Sequence, residues 1–119
     1  MLLGPNGQLG KSLKNHLEAF HELECADKKK FDFLNPTNFL DILKKSKPSL
    51  VINAAAYTDV EGAESNENLA NQINSEALKY IASACEALDL TLLHFSTDYV
   101  FDGNKNTPYL EDDKPNPIS

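Results

Sequence analysis

The sequence has few basic residues: lysine and arginine total 11 against 18 acidic residues, which leaves a net charge of −7 at pH 7. Surfaces that bind nucleic acids need clustered basic side chains to displace counterions, so this balance argues against a nucleic-acid partner. The only basic run, Lys28 to Lys30, is typical of a solvated loop.

The sequence also has only two cysteines and no long apolar run. Cys25 and Cys85 match neither a disulfide framework nor a metal-ligand spacing, so both are interpreted as buried small hydrophobic residues. No segment approaches the ~18 apolar residues of a membrane span, and the N-terminus lacks the pattern of a secretion signal. These absences predict a cytoplasmic protein with no membrane partner.

The composition that remains, 41% hydrophobic and 24% charged residues in a chain of 119, is typical of one globular domain. Helical periodicity predicts helices over residues 8–20, 35–45 and 67–88. The stripe of the first comprises Leu9, Leu13, Leu17 and Phe20. Asn35-Pro36 is a start signal for the second helix, and Ser65-Asn66 are candidate caps of the third.

Short apolar segments without alternation predict strands over residues 23–26, 50–52 and 90–95, in addition to residues 1–3. Residues 102–119 are rich in Asp, Asn, Pro and Lys and are expected to form a loop. The regular alternation of strands and helices predicts an α/β fold with a doubly wound parallel sheet. Ligands of such sheets bind at the carboxyl ends of the strands.

The first predicted turn contains three glycines at three-residue spacing, Gly4, Gly7 and Gly10. In a strand-to-helix turn, glycines permit the sharp bend, the approach of a pyrophosphate and close packing of helix on strand. The helix N-terminus adds amide donors and a positive dipole. The turn therefore predicts a dinucleotide site, to which Asn6, Gln8 and Leu9 also belong.

Asp27 ends the second predicted strand, where a carboxylate accepts hydrogen bonds from the adenosine ribose hydroxyls. A surface aspartate that merely opens a loop is the alternative. Lys28 could accommodate a ribose phosphate, so the sequence leaves the choice between NADH and NADPH open.

Several longer motifs in the sequence resemble those of a known protein family. They are residues 51–58 (VINAAAYT), 63–65 (AES), 95–103 (FSTDYVFDG) and 108–113 (PYLEDD), followed by Asn116-Pro117. Together with the glycine turn, they resemble the dTDP-4-dehydrorhamnose reductase family of extended short-chain dehydrogenases over the whole chain. The resemblance implies an NAD(P)-binding Rossmann-like fold and reduction of dTDP-4-dehydrorhamnose, a nucleotide sugar, with NADPH or NADH.

The resemblance also implies roles for individual residues. Gly7, Gln8 and Leu9 match the pyrophosphate turn, Asp27 the ribose contact, and Asp32 and Phe33 the pair beside the adenine. Ala54, Ala55, Ala56, Tyr57 and Thr58 match the loop along the cofactor, and Phe95 lies beside the nicotinamide half. Thr97 and Asp98 match positions that contact the sugar, with Thr97 as the catalytic hydroxyl.

Simpler interpretations of three of these positions stay open. The alanines could be small because a helix packs on the strand end, and Thr97 could only cap local backbone. His94 is interpreted as a core side chain with a hydrogen-bond partner rather than as an acid or ligand. Because Ser12 stands where some family members carry a metal-binding glutamate, no metal is expected.

The family's Tyr-x-x-x-Lys pair has no counterpart in the sequence, because Gly103 and Asp113 stand four residues after Tyr99 and Tyr109. We therefore expect residues 1–119 to be a partial dinucleotide-binding domain, truncated at both ends, without its substrate domain and inactive in isolation. The last strand would then leave apolar surface uncovered, which would allow self-association.

Two other functions are compatible with these motifs. One is a noncatalytic dinucleotide-binding module that resembles the regulatory subunit of methionine adenosyltransferase. The other is a different sugar-nucleotide enzyme, an epimerase or a dehydratase, because these share the glycine turn.

Overall fold

A computed structural model of the chain describes all residues, 1–119, and has a sheet of four parallel strands at its centre. The strands are β1 (Leu2–Leu3), β2 (Cys25–Ala26), β3 (Leu50–Asn53) and β4 (Thr91–His94). Their order is β2-β1-β3-β4, with every neighbouring pair parallel. The predicted parallel α/β fold is confirmed, and the very short β1 lies inside the sheet.

Helical segments connect the strands. The α-helices are α1 (Gln8–Leu17), α2 (Phe39–Ser46), α3 (Val60–Ser65), α4 (Glu67–Asn71) and α5 (Ala77–Ala87). A π-helical segment, Gln72–Glu76, joins α4 to α5, and 3-10 turns cover Pro36–Asn38 and Asp98–Val100. No helix combines the length and hydropathy needed to cross a membrane.

The predicted bounds of the first two helices are wrong in part. α1 ends at Leu17, and Phe20, expected to close its apolar stripe, is 72% exposed. α2 begins at Phe39, after the 3-10 turn. The Asn35 side chain accepts a hydrogen bond from the Thr37 hydroxyl at 3.0 Å instead of capping the helix.

The third predicted helix is interrupted, and a further helix precedes it. α3 was not predicted, because its six residues carry no helical apolar stripe; the Asp59 carboxylate caps it by accepting the Gly62 amide at 2.9 Å. Neither predicted cap acts as one. Ser65 lies within α3, and the Asn66 side chain donates to the Gly62 carbonyl oxygen at 3.3 Å.

The hydrophobic core lies mainly between the sheet and the pair α2 and α5. Leu3, Val51, Leu43 and Ile81 are completely buried in it. Leu2 and Ile52 are also buried, and they lie on the opposite face because side chains alternate along a strand. The inner strands are thus buried on both faces.

Strand β4 is at the edge of the sheet and is much less covered. Leu93 is 45% exposed, and Phe95, just after the strand, is 40% exposed. The interpretation of His94 as a core side chain is wrong, because His94 is exposed, although it does have the Asn53 side chain as a partner. Cys85 is buried as expected, whereas Cys25 is only half-buried.

Candidate functional site

A cleft of about 250 Å³ opens at the carboxyl edge of strands β1, β2 and β3. It brings together eight of the residues predicted for a dinucleotide site: Gly4, Asn6, Gly7, Asp27, Asp32, Phe33, Ala55 and Ala56. Lys28 also lines it, as do Phe31 and Ile73, which the sequence analysis did not single out. Residues far apart in sequence thus meet where a doubly wound sheet binds its ligands.

The three positions of the turn differ in whether the fold requires glycine there. Gly4 has a φ of +73°, and a Cβ there would lie 2.8 Å from the Ala55 Cα. A Cβ on Gly10 would overlap the Gly4 carbonyl oxygen, because α1 passes so close to the turn. A Cβ on Gly7 would have no atom nearer than the Gly4 carbonyl oxygen at 3.7 Å. Folding alone therefore requires glycine at positions 4 and 10 but not at position 7.

The N-terminus of α1 has unpaired amide donors at this turn. Gly7 is the N-cap residue, no side chain caps the helix, and its first turn has no acidic residue. The backbone N–H groups of Gln8, Leu9 and Gly10 donate to no protein acceptor. With the helix dipole, such amides attract a phosphate. The turn therefore fits the diphosphate of a dinucleotide.

Asp27 is half-buried at the end of β2 and is oriented by the backbone of the next turn. Its Oδ1 accepts the amides of Lys29 at 3.0 Å and Lys30 at 3.3 Å, while its Oδ2 accepts no hydrogen bond. An ionised carboxylate held this way has capacity left to accept ribose hydroxyls.

The three lysines after Asp27 are in different environments. The Lys30 ammonium pairs with the Glu24 carboxylate, and this hydrogen bond lowers the pKa of Glu24. Lys28 lines the cleft and forms no ion pair. Lys28 is therefore the cation of the run that could contact a phosphate beside the ribose.

Aromatic rings form the wall of the cleft beyond Asp27. Phe31 is almost fully buried and stacks on Phe39 with ring centroids 3.9 Å apart, and Phe33 meets Phe39 edge to face at 5.8 Å. Asp32, which lies between Phe31 and Phe33 in the sequence, accepts the Leu34 amide at 3.0 Å. An apolar, aromatic lining of this kind suits an adenine ring. The alternation of Phe31 and Phe33 was a signal that could have identified both rings.

The loop after β3 is held by two asparagine side chains that the sequence analysis missed. The buried Asn53 accepts the Ala55 amide at 3.0 Å and contacts the His94 ring nitrogen at 3.1 Å. Partial desolvation of the His94 ring lowers its pKa, although the residue as a whole is exposed. The second is Asn74, which binds the backbone of Tyr57. A single buried polar residue at a strand end, such as Asn53, is a signal that sequence reading could have used.

Nine of the predicted residues do not line this cleft. They are Gln8, Leu9, Gly10, Ala54, Tyr57, Thr58, Phe95, Thr97 and Asp98. The Thr97 hydroxyl oxygen accepts the Tyr99 amide at 3.2 Å, which is the local capping bond considered for it. Asp98 lines a separate, open hollow of about 760 Å³ with Tyr99, Phe101 and Tyr109. The structure thus keeps the two groups predicted to contact the sugar apart from the 250 Å³ cleft.

The predicted loop, residues 102–119, has no helix or strand but is organised around one carboxylate. Asp102 accepts the Asn104 amide at 3.0 Å, the Tyr109 hydroxyl at 2.9 Å and the Asn116 side-chain amide at 2.8 Å. These hydrogen bonds lower the pKa of Asp102 strongly. Phe101 stacks on Tyr109 with centroids 4.1 Å apart. The segment is therefore a compact loop closed by polar and aromatic contacts.

The comparisons with known proteins agree along the whole chain. The sequence profile described as the RmlD substrate binding domain matches residues 1–119. The dTDP-4-dehydrorhamnose reductase of Burkholderia thailandensis is 37% identical over 119 residues, which are 100% of this chain and 40% of that protein. The enzyme of the same name from Escherichia coli K12 is 35% identical over 123 residues, covering 100% of this chain and 41% of its own length.

Solved structures show the same similarity. A crystal structure of a dTDP-4-dehydrorhamnose reductase from Clostridium acetobutylicum superposes with a TM-score of 0.94 at 35% identity and covers 99% of this chain and 42% of its own. That of Bacillus anthracis, in complex with NADP, has a TM-score of 0.92 at 36% identity, covering 98% and 42%. The chain spans about two fifths of the length of the curated relatives that it matches. Because the family profile matches every residue from 1 to 119, the chain belongs to the RmlD substrate binding domain family.

Proposed function

We propose that this chain is the dinucleotide-binding part of a protein that reduces dTDP-4-dehydrorhamnose to dTDP-rhamnose with NADPH or NADH. The observation that carries the proposal is the cleft at the carboxyl edge, where the uncapped N-terminus of α1 meets Asp27 and the Phe31–Phe33 wall. These groups suit a diphosphate, a ribose and an adenine, in that order, across neighbouring strands. The reductases named above support the choice of substrate.

Each part of the chain has a task in cofactor binding. The amides of Gln8 and Leu9 and the surface of Gly7 receive the diphosphate. The Asp27 carboxylate accepts the adenosine ribose hydroxyls, with Lys28 beside it. The loop of residues 54–58 borders the other half of the cofactor, because β3 lies on the opposite side of β1 from β2. When bound, the reduced nicotinamide supplies the hydride that reaches the keto carbon of the sugar.

The substrate end of the site is proposed at the end of β4. Phe95 is exposed enough to contact the nicotinamide half, and the Thr97 hydroxyl and the Asp98 carboxylate are exposed for contact with the sugar. Thr97 would hold the substrate oxygen by donating a hydrogen bond to it, as it donates weakly to Asp98 at 3.4 Å in the free protein. We assign the proton donor, a tyrosine with a lysine four positions later in the family, to residues outside 1–119.

Titration of the chain with NADPH and with NADH tests the cofactor part of the proposal. Asp27→Asn keeps an oxygen that can accept the Lys29 amide but removes the charge, so we expect cofactor affinity to fall about tenfold or more. Asp112→Asn, at an exposed carboxylate that forms no hydrogen bond, is the matched control and should bind like the parent. If neither cofactor binds the parent chain, the proposal is wrong.

The activity part is tested separately. Supplied with dTDP-4-dehydrorhamnose and NADPH, the 119-residue polypeptide should not oxidise the cofactor, whereas a longer protein that includes these residues and the tyrosine-lysine pair should. Turnover by the 119 residues alone that disappears in Thr97→Ala would contradict this assignment of the proton donor.

The other candidate functions have less support. The relatives named reductases are 35 to 37% identical along the chain, whereas a UDP-glucose 4-epimerase structure from Brucella ovis shares 17% identity and supports the fold alone. We also propose a cytoplasmic location, in keeping with two free cysteines. Self-association through the exposed side chains of β4 stays a prediction.

A further inference from the structure

The loop that follows β3 is gripped by one side chain from a distant helix. The Asn74 side chain accepts the Tyr57 amide through Oδ1 at 2.8 Å and donates through Nδ2 to the Tyr57 carbonyl oxygen at 2.9 Å. The two bonds satisfy both backbone groups of one residue, as a neighbouring strand would. Asn74 therefore supplies for Tyr57 the hydrogen bonds that a neighbouring strand supplies only as far as Ala54.

Asn74 occupies an irregular part of its helix. It lies in the π-helical segment Gln72–Glu76, between α4 and α5. Such a segment inserts an extra residue into a helix and is frequently found at functional sites. Ile73, its neighbour in the segment, lines the dinucleotide cleft beside Ala55 and Ala56. The segment thus contributes to the cleft wall through Ile73 and holds the adjoining loop through Asn74.

The hydrogen bonds from Asn74 to Tyr57 also fix the positions of the two residues beside Tyr57. The backbone N–H groups of Ala56 and Thr58 donate to no protein acceptor, and both residues are exposed. Ala54 and Ala55 are held by the Leu3 carbonyl oxygen and the Asn53 side chain, but Asn74 forms the only hydrogen bonds from outside the loop to residues 56–58. The Tyr57 hydroxyl also lies close to Gly62, so close that a Cβ on Gly62 would be only 2.6 Å from it.

We propose that Asn74 is a positioning residue for the cofactor: by fixing the Tyr57 backbone, it presents the amides of Ala56 and Thr58 to the half of the dinucleotide beyond the diphosphate. This inference rests on the proposed function. The loop follows β3, which is the neighbour of β1 on the side opposite β2. It therefore lies on the other side of the glycine turn from Asp27. Without the grip, residues 56–58 sample conformations in which these amides point elsewhere.

Asn74→Ala tests the inference by calorimetric titration with NADPH on the full chain. If the competent loop conformation falls to about one tenth of the population, Kd rises about tenfold. Asn71→Ala, one turn earlier on the same exposed surface and without side-chain hydrogen bonds, is the matched control and should leave Kd unchanged. Amide hydrogen exchange at Tyr57 should accelerate in Asn74→Ala but not in Asn71→Ala.

Two further variants separate positioning from loss of stability. Ala84→Gly destabilises the core helix α5, none of whose residues lines the cleft, and should not change Kd at temperatures where the variant is folded. Asn74→Asp keeps the acceptor for the Tyr57 amide, loses the donor to its carbonyl oxygen, and should give an intermediate rise in Kd even if Asn74→Ala does not fold.

The outcomes distinguish the two proposals. If the parent chain binds NADPH and both Asn74 variants bind it equally well, the positioning inference is wrong and the dinucleotide site stands. A rise in Kd as large in Ala84→Gly as in Asn74→Ala would also overturn the inference. If the parent chain binds no NADPH at all while Tyr57 exchange still depends on Asn74, the dinucleotide function itself is wrong.

Discussion

Substituting alanine at Gly10 and at Gly7 should separate the folding role of the glycine turn from its binding role. Gly10→Ala places a methyl group that overlaps the Gly4 carbonyl oxygen and lies 2.9 Å from both the Gly4 carbonyl carbon and the Pro5 Cα, where carbon atoms normally stay about 3.5 to 4.0 Å apart. Backbone atoms cannot turn aside as a side chain does, so α1 must move away from the turn by about 1 Å or more.

The size of the effect follows from two opposing contributions. Overpacking of this kind costs about 1 to 3 kcal/mol, and a rigid backbone neighbour favours the upper end. Alanine regains about 1 kcal/mol over glycine inside a helix. The net loss for Gly10→Ala is therefore at least about 2 kcal/mol, or roughly 8 °C or more in Tm for a domain of this length.

Gly7→Ala should behave in the opposite way. Its methyl group meets nothing closer than 3.7 Å, its φ of −72° suits any residue, and the gain in chain stiffness roughly offsets the weaker N-cap. Tm should change by less than about 2 °C. Because Gly7 lines the cleft, the methyl group should nevertheless weaken NADPH binding about tenfold or more.

Thermal melts followed by circular dichroism and titrations with NADPH measure both properties on the same samples. Gly10→Ala that melts like the parent would refute the close packing of α1 on the turn. Gly7→Ala that keeps full affinity would remove this turn from the diphosphate site.

Two further predictions concern the tail and the edge strand. Because hydrogen bonds lower the pKa of Asp102 in the folded chain, its stabilisation is present above the unfolded pKa of about 3.9 and is lost as the pH falls toward the folded value. Asp102→Asn should thus lower Tm at pH 7 but progressively less below about pH 4. A Tm difference that does not depend on pH would contradict the stabilising role of the ionised Asp102 carboxylate. Leu93→Lys, at a side chain 45% exposed on the edge strand, should reduce concentration-dependent sedimentation without lowering Tm; unchanged sedimentation would mean that another surface associates.

Sequence patterns predicted best where one local signal was sufficient. The buried β-branched segment around Val51 and Ile52 predicted an inner parallel strand, and the glycine spacing predicted the strand-to-helix turn. Element ends were predicted less well. Phe20 continues the apolar period of α1 in sequence, but the helix ends at Leu17 and leaves that ring in solvent.

In the candidate site, too, some residues could be predicted from the sequence and others could not. Asp27 could be selected because it follows a predicted strand, and Asp32 and Phe33 were implied by the family resemblance; all three line the cleft. Ile73 and Asn74 could not be selected in this way. Their importance depends on the cleft wall or the loop that they contact, and the contact between Asn74 and Tyr57 joins residues 17 positions apart.

The sequence by itself determined the fold class and the location of the diphosphate turn, because periodicity and glycine conformation are local properties that a few neighbouring residues specify. Only the tertiary structure decided which side chains meet at the carboxyl edge, how Asn74 holds the β3 loop and how Asp102 closes the tail. These arrangements depend on long-range packing of the helices on the sheet, and hydrogen bonds between distant residues form only after that packing has brought the partners within about 3 Å of each other.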